Sequence, residues 1–457
     1  MVESAETDRR PILTFYGDDF TGSTDSLEAL AMAGAPAVLF LDVPTPEMLA
    51  RHPGAVAVGV AGTSRSRSPD WMDRELPAIF AGLKALGAPI CHYKTCSTFD
   101  SAPDVGSIGR AADIGRRVFG GFVPCVVGVT RHRRYVTFSN LFAAAGIGGA
   151  TEIFRIDRHP TMSRHPVTPM GEADLRRHLA AQTASRIAGF DFLEMLAEDG
   201  AARLAAIAAE ADIVVFDTFD AATTRATGRL LAAEAAKRAF FTVGSSGVEY
   251  ALVDHLTATG VLPIAPPPTA RPPVDRLIAV CGSCSPITER QIARAEADGF
   301  ASIAVDTVGL VEDDGPATRA RIAETILAAF ADHDRVVVHT ARGGDDPRLG
   351  PTRDALARRG LDAHASSAVL GGALGRVVGE VLKSARLTRA VLAGGDSSSH
   401  AVSAMGVSAL EVAGPLVPGA PLCRLHSSSP HVDGVEISLK GGQVGGPDFF
   451  GRVAAGR

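Results

Sequence analysis

The chain has 457 residues, more than one ordinary hydrophobic core organises, with 46% apolar and 21% charged residues. That balance excludes a disordered chain, and 45 Lys and Arg against 51 Asp and Glu leave a formal charge of −6, which argues against nucleic acid or an anionic membrane as the main partner. Residues 1–10 are polar with no apolar signal segment, and the apolar stretch 29–41, broken by Gly34 and Pro36, is shorter than the ~20 residues that span a bilayer; a cytoplasmic protein is the expectation.

In chain order, residues 12–16 read as a buried strand, followed by Gly17-Asp18-Asp19-Phe20-Thr21-Gly22-Ser23-Thr24-Asp25 and a helix. Adjacent carboxylates at a strand end can bind substrate hydroxyls, hold magnesium or act as a general base, while one of the pair is suited to cap the helix. Residues 37–41 and 55–60 are further strands, and the second leads into Thr63-Ser64-Arg65-Ser66-Arg67, where a guanidinium can grip a carboxylate. The loop His92-Tyr93-Lys94-Thr95-Cys96-Ser97-Thr98-Phe99-Asp100-Ser101, leading to Gly106-Ser107-Ile108-Gly109-Arg110, offers a cation followed by hydroxyls and suits an anionic polyol. Residues 158–170, with His159-Pro160 and His165-Pro166, cannot form regular structure and read as a lid or a crossing.

Strands at 213–216 and 240–243 flank a helix at 221–237, a βαβ unit, and the second strand runs into Gly244-Ser245-Ser246-Gly247, which lacks the order of a nucleophile elbow. Residues 262–274 are so rich in proline that they form an extended linker. They divide the chain into domains at 1–261 and 275–457. The second part repeats the alternation, with strands at 277–280, 302–305, 335–338 and 389–392 and helices at 287–297, 317–331 and 368–384. The fold class is therefore α/β: two α/β domains with mainly parallel sheets, whose ligands belong at the carboxyl ends of the strands.

Three loops of the second part join glycine to hydroxyls or an acid: Gly282-Ser283-Cys284-Ser285, Gly394-Gly395-Asp396-Ser397 and Lys440-Gly441-Gly442-Gln443-Val444-Gly445-Gly446-Pro447-Asp448. Where such loops open helices, their N–H groups favour phosphate. None is a P-loop or a dinucleotide fingerprint, which counts against a nicotinamide-dependent oxidoreductase. Six cysteines make no disulfide framework in a chain of this length, and Cys281 and Cys284 have no second ligand pair for zinc.

The ordered set formed by Asp18-Asp19-Phe20-Thr21-Gly22, the 93–101 loop with 106–110, His165–Met170, Gly282–Pro286, Gly394–Asp396 and the 440–446 loop resembles the four-carbon acid sugar kinase family, along nearly the whole chain. The resemblance implies phosphoryl transfer from ATP, with Mg2+ accompanying it, to a hydroxyl of a small acid sugar. It implies catalysis by Asp18 or Asp19 and substrate contacts from Asp19, Arg65, Lys94, Cys96, Ser97 and Thr98. The nucleotide falls to Ser283, Gly394, Gly395, Asp396, Ser397 and Gly442, and no residue identifies itself as a metal ligand. Cys96 and Asp100 depart from the tetronate-kinase pattern, so a branched or oxidised acid such as 3-oxo-isoapionate stands beside tetronate and 3-oxo-tetronate. A non-catalytic sugar-acid or nucleotide sensor on the same fold is the competing reading, and assembly into a homo-oligomer is left open.

Overall fold

A computed structural model of the chain describes residues 10–145, 152–165, 167–262, 266–312, 316–361 and 365–457, the side chain of Asp396 excepted. Pro166 and residues 263–265 of the expected linker lie outside the described residues. The chain separates into two compact units, residues 1–38 with 43–266 and residues 39–42 with 267–457.

The first unit contains β1 (Leu13–Gly17), β2 (Ala37–Phe40, at the division), β3 (Ala57–Ala61), β4 (Ile90–Lys94), β5 (Val123–Val126), β6 (Arg134–Thr137), β7 (Asn140–Ala145), β8 (Glu152–Arg155), β9 (Ile187–Phe190), β10 (Ile213–Phe216) and β11 (Phe240–Gly244). Its main sheet runs β3-β1-β4-β11-β5-β10-β9, with every neighbouring pair parallel. These strands are apolar runs because helices cover both faces of a parallel sheet. The helix Ala221–Ala235 completes the expected βαβ unit.

Under the carboxyl ends of β1 and β4, Tyr16 and Tyr93 stack with ring centroids 5.9 Å apart, and Phe80 meets both edge-on. Both tyrosines are buried, so each hydroxyl needs a partner. Tyr93 shares a hydrogen bond of 2.8 Å with Ser64, and Tyr16 accepts from the Thr63 N–H at 3.4 Å. The aromatic core thereby fixes the turn that carries Arg65.

A separate antiparallel sheet, β6-β7-β8, is an element that the sequence reading did not anticipate. Its first hairpin turns at Phe138 and Ser139 with φ of 47° and 60°, a conformation usually signalled by Asn-Gly. The turn survives without glycine because Asp217, at the end of β10, accepts the N–H groups of Phe138 at 2.7 Å and Ser139 at 2.9 Å. A third bond, from Phe192 N at 3.3 Å, completes the set. Asp217→Ala is expected to destabilise the protein by roughly 2–4 kcal/mol in urea unfolding, since it strands one buried and two part-buried donors that a charged acceptor satisfied; a loss below about 0.5 kcal/mol refutes this account of the turn.

The second unit contains β12 (Leu277–Cys281), β13 (Ala301–Ala304), β14 (Arg335–His339), β15 (Arg389–Ala393), β16 (Val407–Val417), β17 (Ala420–Ser427) and β18 (Glu436–Lys440). Its order is β13-β14-β12-β15-β18-β17-β16, parallel as far as β18 and antiparallel beyond. The β16–β17 hairpin was also unanticipated, although its turn carries Pro418-Gly419, with Gly419 at φ +81°.

From Pro267 on, the proline-rich stretch is part of this unit. Arg271 N donates to Gly456 O at 2.9 Å, and the buried Arg389 binds the Pro272 carbonyl as well as Glu436. The helix Ala365–Ala385 is long and apolar enough to cross a membrane. Gly371, Leu374, Val378 and Val381 are buried on it, as on a core helix.

Candidate active site

The loops after β1, β3 and β4 meet through their backbones. Asp18 N donates to Lys94 O, Gly62 N to Gly17 O and Arg65 N to Asp18 O, each at 2.9 Å. Gly106 fits against this junction only because it lacks a side chain: it sits at φ +61°, and a Cβ there would lie 2.4 Å from the Arg65 carbonyl oxygen.

The two adjacent acids have separate tasks. Asp19 caps the helix Phe20–Met32, its Oδ1 accepting from Gly22 N at 2.9 Å and its Oδ2 from Thr21 Oγ1 at 3.0 Å. Asp18 caps nothing. Its carboxylate accepts from Arg65 Nε at 3.1 Å and Nη2 at 2.7 Å, while Arg65 Nη1 reaches Asp19 at 2.9 Å. Burial pushes the Asp18 carboxyl up to about 6, against the pull of Arg65 and with the help of Asp19. A carboxylate so placed is ionised at neutral pH yet basic enough to accept a proton.

Lys94, expected in a loop, is the last residue of β4 and is buried. Its Nζ donates to Gly22 O at 2.7 Å and pairs with Asp25 at 3.4 Å. Burial works against its charge, but Asp25 and Asp19 outweigh burial and raise its pKa. Asp25 is held in turn below the usual carboxylate range, against burial, by Lys94 and by His132, whose Nε2 lies 3.7 Å away. This Lys94–Asp25 pair is a partnership that sequence spacing did not reveal.

Beyond β4, Thr98 donates to Asp100 at 2.5 Å and stands 2.9 Å from Cys96 Sγ, with Ser97 half-buried between them. Thr168, from the proline-rich 158–170 segment, donates to Asp100 at 3.2 Å or meets His165 Nδ1 at 3.0 Å. The buried Phe99 holds φ +57° within this loop, local strain of the kind that surrounding contacts must offset.

In the second unit, the ends of β12, β15 and β18 are aligned by Gly282 N donating to Ala393 O at 2.8 Å and Gly394 N to Lys440 O at 2.9 Å. Ser285 caps the helix Pro286–Ala297, accepting from Thr288 N at 3.1 Å and donating to Gly442 O. Ser283 Oγ accepts from Ser285 N at 3.2 Å, and a Cβ on Gly442 would come within 2.8 Å of it. Ser283 and Gly442 are thus neighbours. Gly394 has φ +150°, and a Cβ on it or on Gly282 would fall 2.3 or 2.4 Å from Ser397 Oγ. The helix Gly395–Ala404 opens here with no side-chain cap, and the buried Ser398 hydroxyl has no partner among the described residues. Asp396 belongs to the same loop, but its side chain lies outside the described residues.

Two residues missed in the sequence complete this cradle. Gln291 Nε2 lies within 3.2 Å of the carbonyls of Val444, Gly445 and Gly446 and pins the third loop. Lys440 is buried with Nζ donating to Thr288 Oγ1 at 3.1 Å, and burial lowers its pKa to about 8. The Cys281 thiol is buried at the end of β12, its pKa pushed up to about 12 by burial, so the Cys-x-x-Cys spacing marks a strand and its turn and not a redox pair.

Comparison with known proteins agrees with this division. Residues 13–252 match the sugar-binding N-terminal domain family and residues 278–450 the nucleotide-binding C-terminal domain family. The chain is 49% identical over 98% of its length, and 94% of the relative's, to 3-oxo-isoapionate kinase of Paraburkholderia graminis. It is 30% identical to a 3-oxo-tetronate kinase of Methylobacterium radiotolerans, covering 95% of this chain and 97% of that one, and 27% identical to another from Cupriavidus necator, covering 96% of each. A solved protein of Salmonella typhimurium LT2 shares the fold at TM-score 0.72 and 24% identity, covering 96% of this chain and 98% of that one. A Haemophilus influenzae protein shares it at TM-score 0.68 and 21% identity, with the same coverage. With both halves matched in order and a relative this similar along the whole chain, the protein belongs to the acid sugar kinase family that includes 3-oxo-isoapionate kinase and the 3-oxo-tetronate kinases.

Proposed function

We propose that the protein transfers a phosphoryl group from ATP to a hydroxyl of 3-oxo-isoapionate or a closely related branched acid sugar. Residues 1–261 hold the acid, residues 275–457 hold the nucleotide, and 262–274 join them. The observation that carries this reading is the Asp18–Asp19–Arg65 cluster at the strand ends of the half matched as sugar-binding, in a chain 49% identical to a kinase of that acid. Asp18 positions the acceptor hydroxyl and takes its proton as the oxygen attacks phosphorus. Arg65 holds Asp18 in place, and Asp19 keeps the helix start and the guanidinium in register. Lys94, Cys96, Ser97 and Thr98 line the substrate side.

Bound ATP supplies the phosphoryl group, and its Mg2+ neutralises charge on the triphosphate. The residues present suit it: Gly282 and Gly394 leave the backbone bare, Ser397 and Ser283 offer hydroxyls, and the helix Gly395–Ala404 starts uncapped toward an anion. The metal's ligands are left to ATP and water, with no protein ligand assigned. The working partners are the acid sugar and ATP, in the cytoplasm, without nucleic acid or membrane.

The test is ADP release from purified protein with ATP, Mg2+ and a panel of four- and five-carbon acid sugars that includes 3-oxo-isoapionate and the 3-oxo-tetronates. We expect kcat/KM for 3-oxo-isoapionate to exceed that for a 3-oxo-tetronate by about tenfold or more, the usual worth of a fitted pocket against a near analogue. ADP release no faster than the sugar-free background with every acid overturns the reading.

A further inference from the structure

An acid sugar brings a carboxylate, and the cations closest to Asp18 are already engaged. Arg65 is shared between Asp18 and Asp19, and Lys94 is held by Asp25 and the Gly22 carbonyl. Drawing either toward a substrate carboxylate would strand a protein carboxylate that is itself largely buried.

Arg134 differs from both. It opens β6, just after the turn at Arg133, which has φ +56°. Its Nη1 donates to the His132 carbonyl at 2.6 Å. Its Nε is buried and has no hydrogen-bond partner among the described residues. Among the described residues it forms no ion pair with a carboxylate, and burial lowers its pKa. The residue whose carbonyl holds it, His132, has its own Nε2 3.7 Å from Asp25, the partner of Lys94. Arg134 is thereby joined through His132 to the Lys94–Asp25 pair, with its Nε left without an acceptor among the described residues.

Its position is rigid. Arg134 N donates to Val129 O at 3.1 Å and Val129 N to Arg134 O at 3.0 Å, while Val136 and Thr218 exchange backbone bonds at 2.9 Å. Asp217 secures the turn at the other end of β6. A guanidinium N–H that is buried without an acceptor is costly to keep, and a carboxylate ligand removes that cost.

Building on the acid-sugar kinase reading, we infer that Arg134 receives the substrate carboxylate, with Nε and Nη2 on one edge of its guanidinium forming a two-pronged contact. The residue then decides between acids and neutral sugars, and the His132–Tyr135 segment carries specificity.

The experiment measures wild type, Arg134→Gln and Arg134→Lys with the best acid of the panel and with its primary carboxamide. Arg134→Gln should lower kcat/KM for the acid by about 100-fold, mainly through KM, and leave KM for ATP within about twofold. Both proteins should use the carboxamide equally poorly, and Arg134→Lys should recover part of the acid preference by restoring charge without the fork. An acid KM within about threefold of wild type in Arg134→Gln, at unchanged ATP affinity, overturns the inference while leaving the kinase reading intact. So does an equal loss for acid and carboxamide, which marks a structural role. If wild type itself turns over no acid, the kinase reading has failed and the inference falls with it.

Discussion

Asp18→Asn is expected to lower kcat by about 10³ while leaving ATP affinity unchanged, the scale on which a positioned base contributes to proton transfer. The amide keeps the size of the carboxylate but cannot take the acceptor proton. The same group sets a pH dependence. With the carboxyl raised to about 6 by burial, the base is ionised above that pH and protonated below it. The rate should therefore be level above about 7 and fall about tenfold per unit below about 6, and the residual activity of Asp18→Asn should lack that limb. Asp19→Asn provides the contrast, because Asp19 already serves as helix cap and as partner of Arg65 Nη1. Asparagine caps nearly as well as aspartate, so its kcat should drop far less. Steady-state rates across pH 5–9 decide the matter: an acid limb retained in Asp18→Asn, or a loss confined to Asp19→Asn, removes Asp18 from the role of base.

Gly394→Val should weaken ATP binding by about 30-fold or more without touching the acid-sugar half. Valine at φ +150° is strained by roughly 1–3 kcal/mol, and its Cβ would meet Ser397 Oγ at 2.3 Å. Relief comes by moving Ser397 and the first turn of the helix Gly395–Ala404, the uncapped end proposed to receive the phosphates. About 2 kcal/mol lost at that turn corresponds to the stated factor. Titration calorimetry with a non-hydrolysable ATP analogue reads it, with the acid sugar titrated separately as the control. Unchanged nucleotide affinity in a folded variant means that the triphosphate lies elsewhere.

The α/β class and most parallel strands were legible because a strand buried on both faces has to be an unbroken apolar run: residues 213–216 and 335–338 could be little else. Glycine and hydroxyls directly after such runs marked the candidate ligand loops for the same local reason. The antiparallel pieces were not legible. The β6–β7 turn uses Phe138 and Ser139 in place of Asn-Gly, and what permits it is Asp217, far away in the chain.

Partnership was the other thing that the sequence withheld. It showed Asp18, Asp19, Arg65 and Lys94 as candidates, each with its charge, since residue type determines charge and strand-end position determines neighbourhood. Only the fold decided that Asp19 caps a helix, that Lys94 is committed to Asp25, and that Arg134 Nε is buried without a partner among the described residues. Whether a charge is free for a ligand depends on burial and on pairing over distances of a few ångström, and those contacts join segments that lie tens of residues apart in the chain.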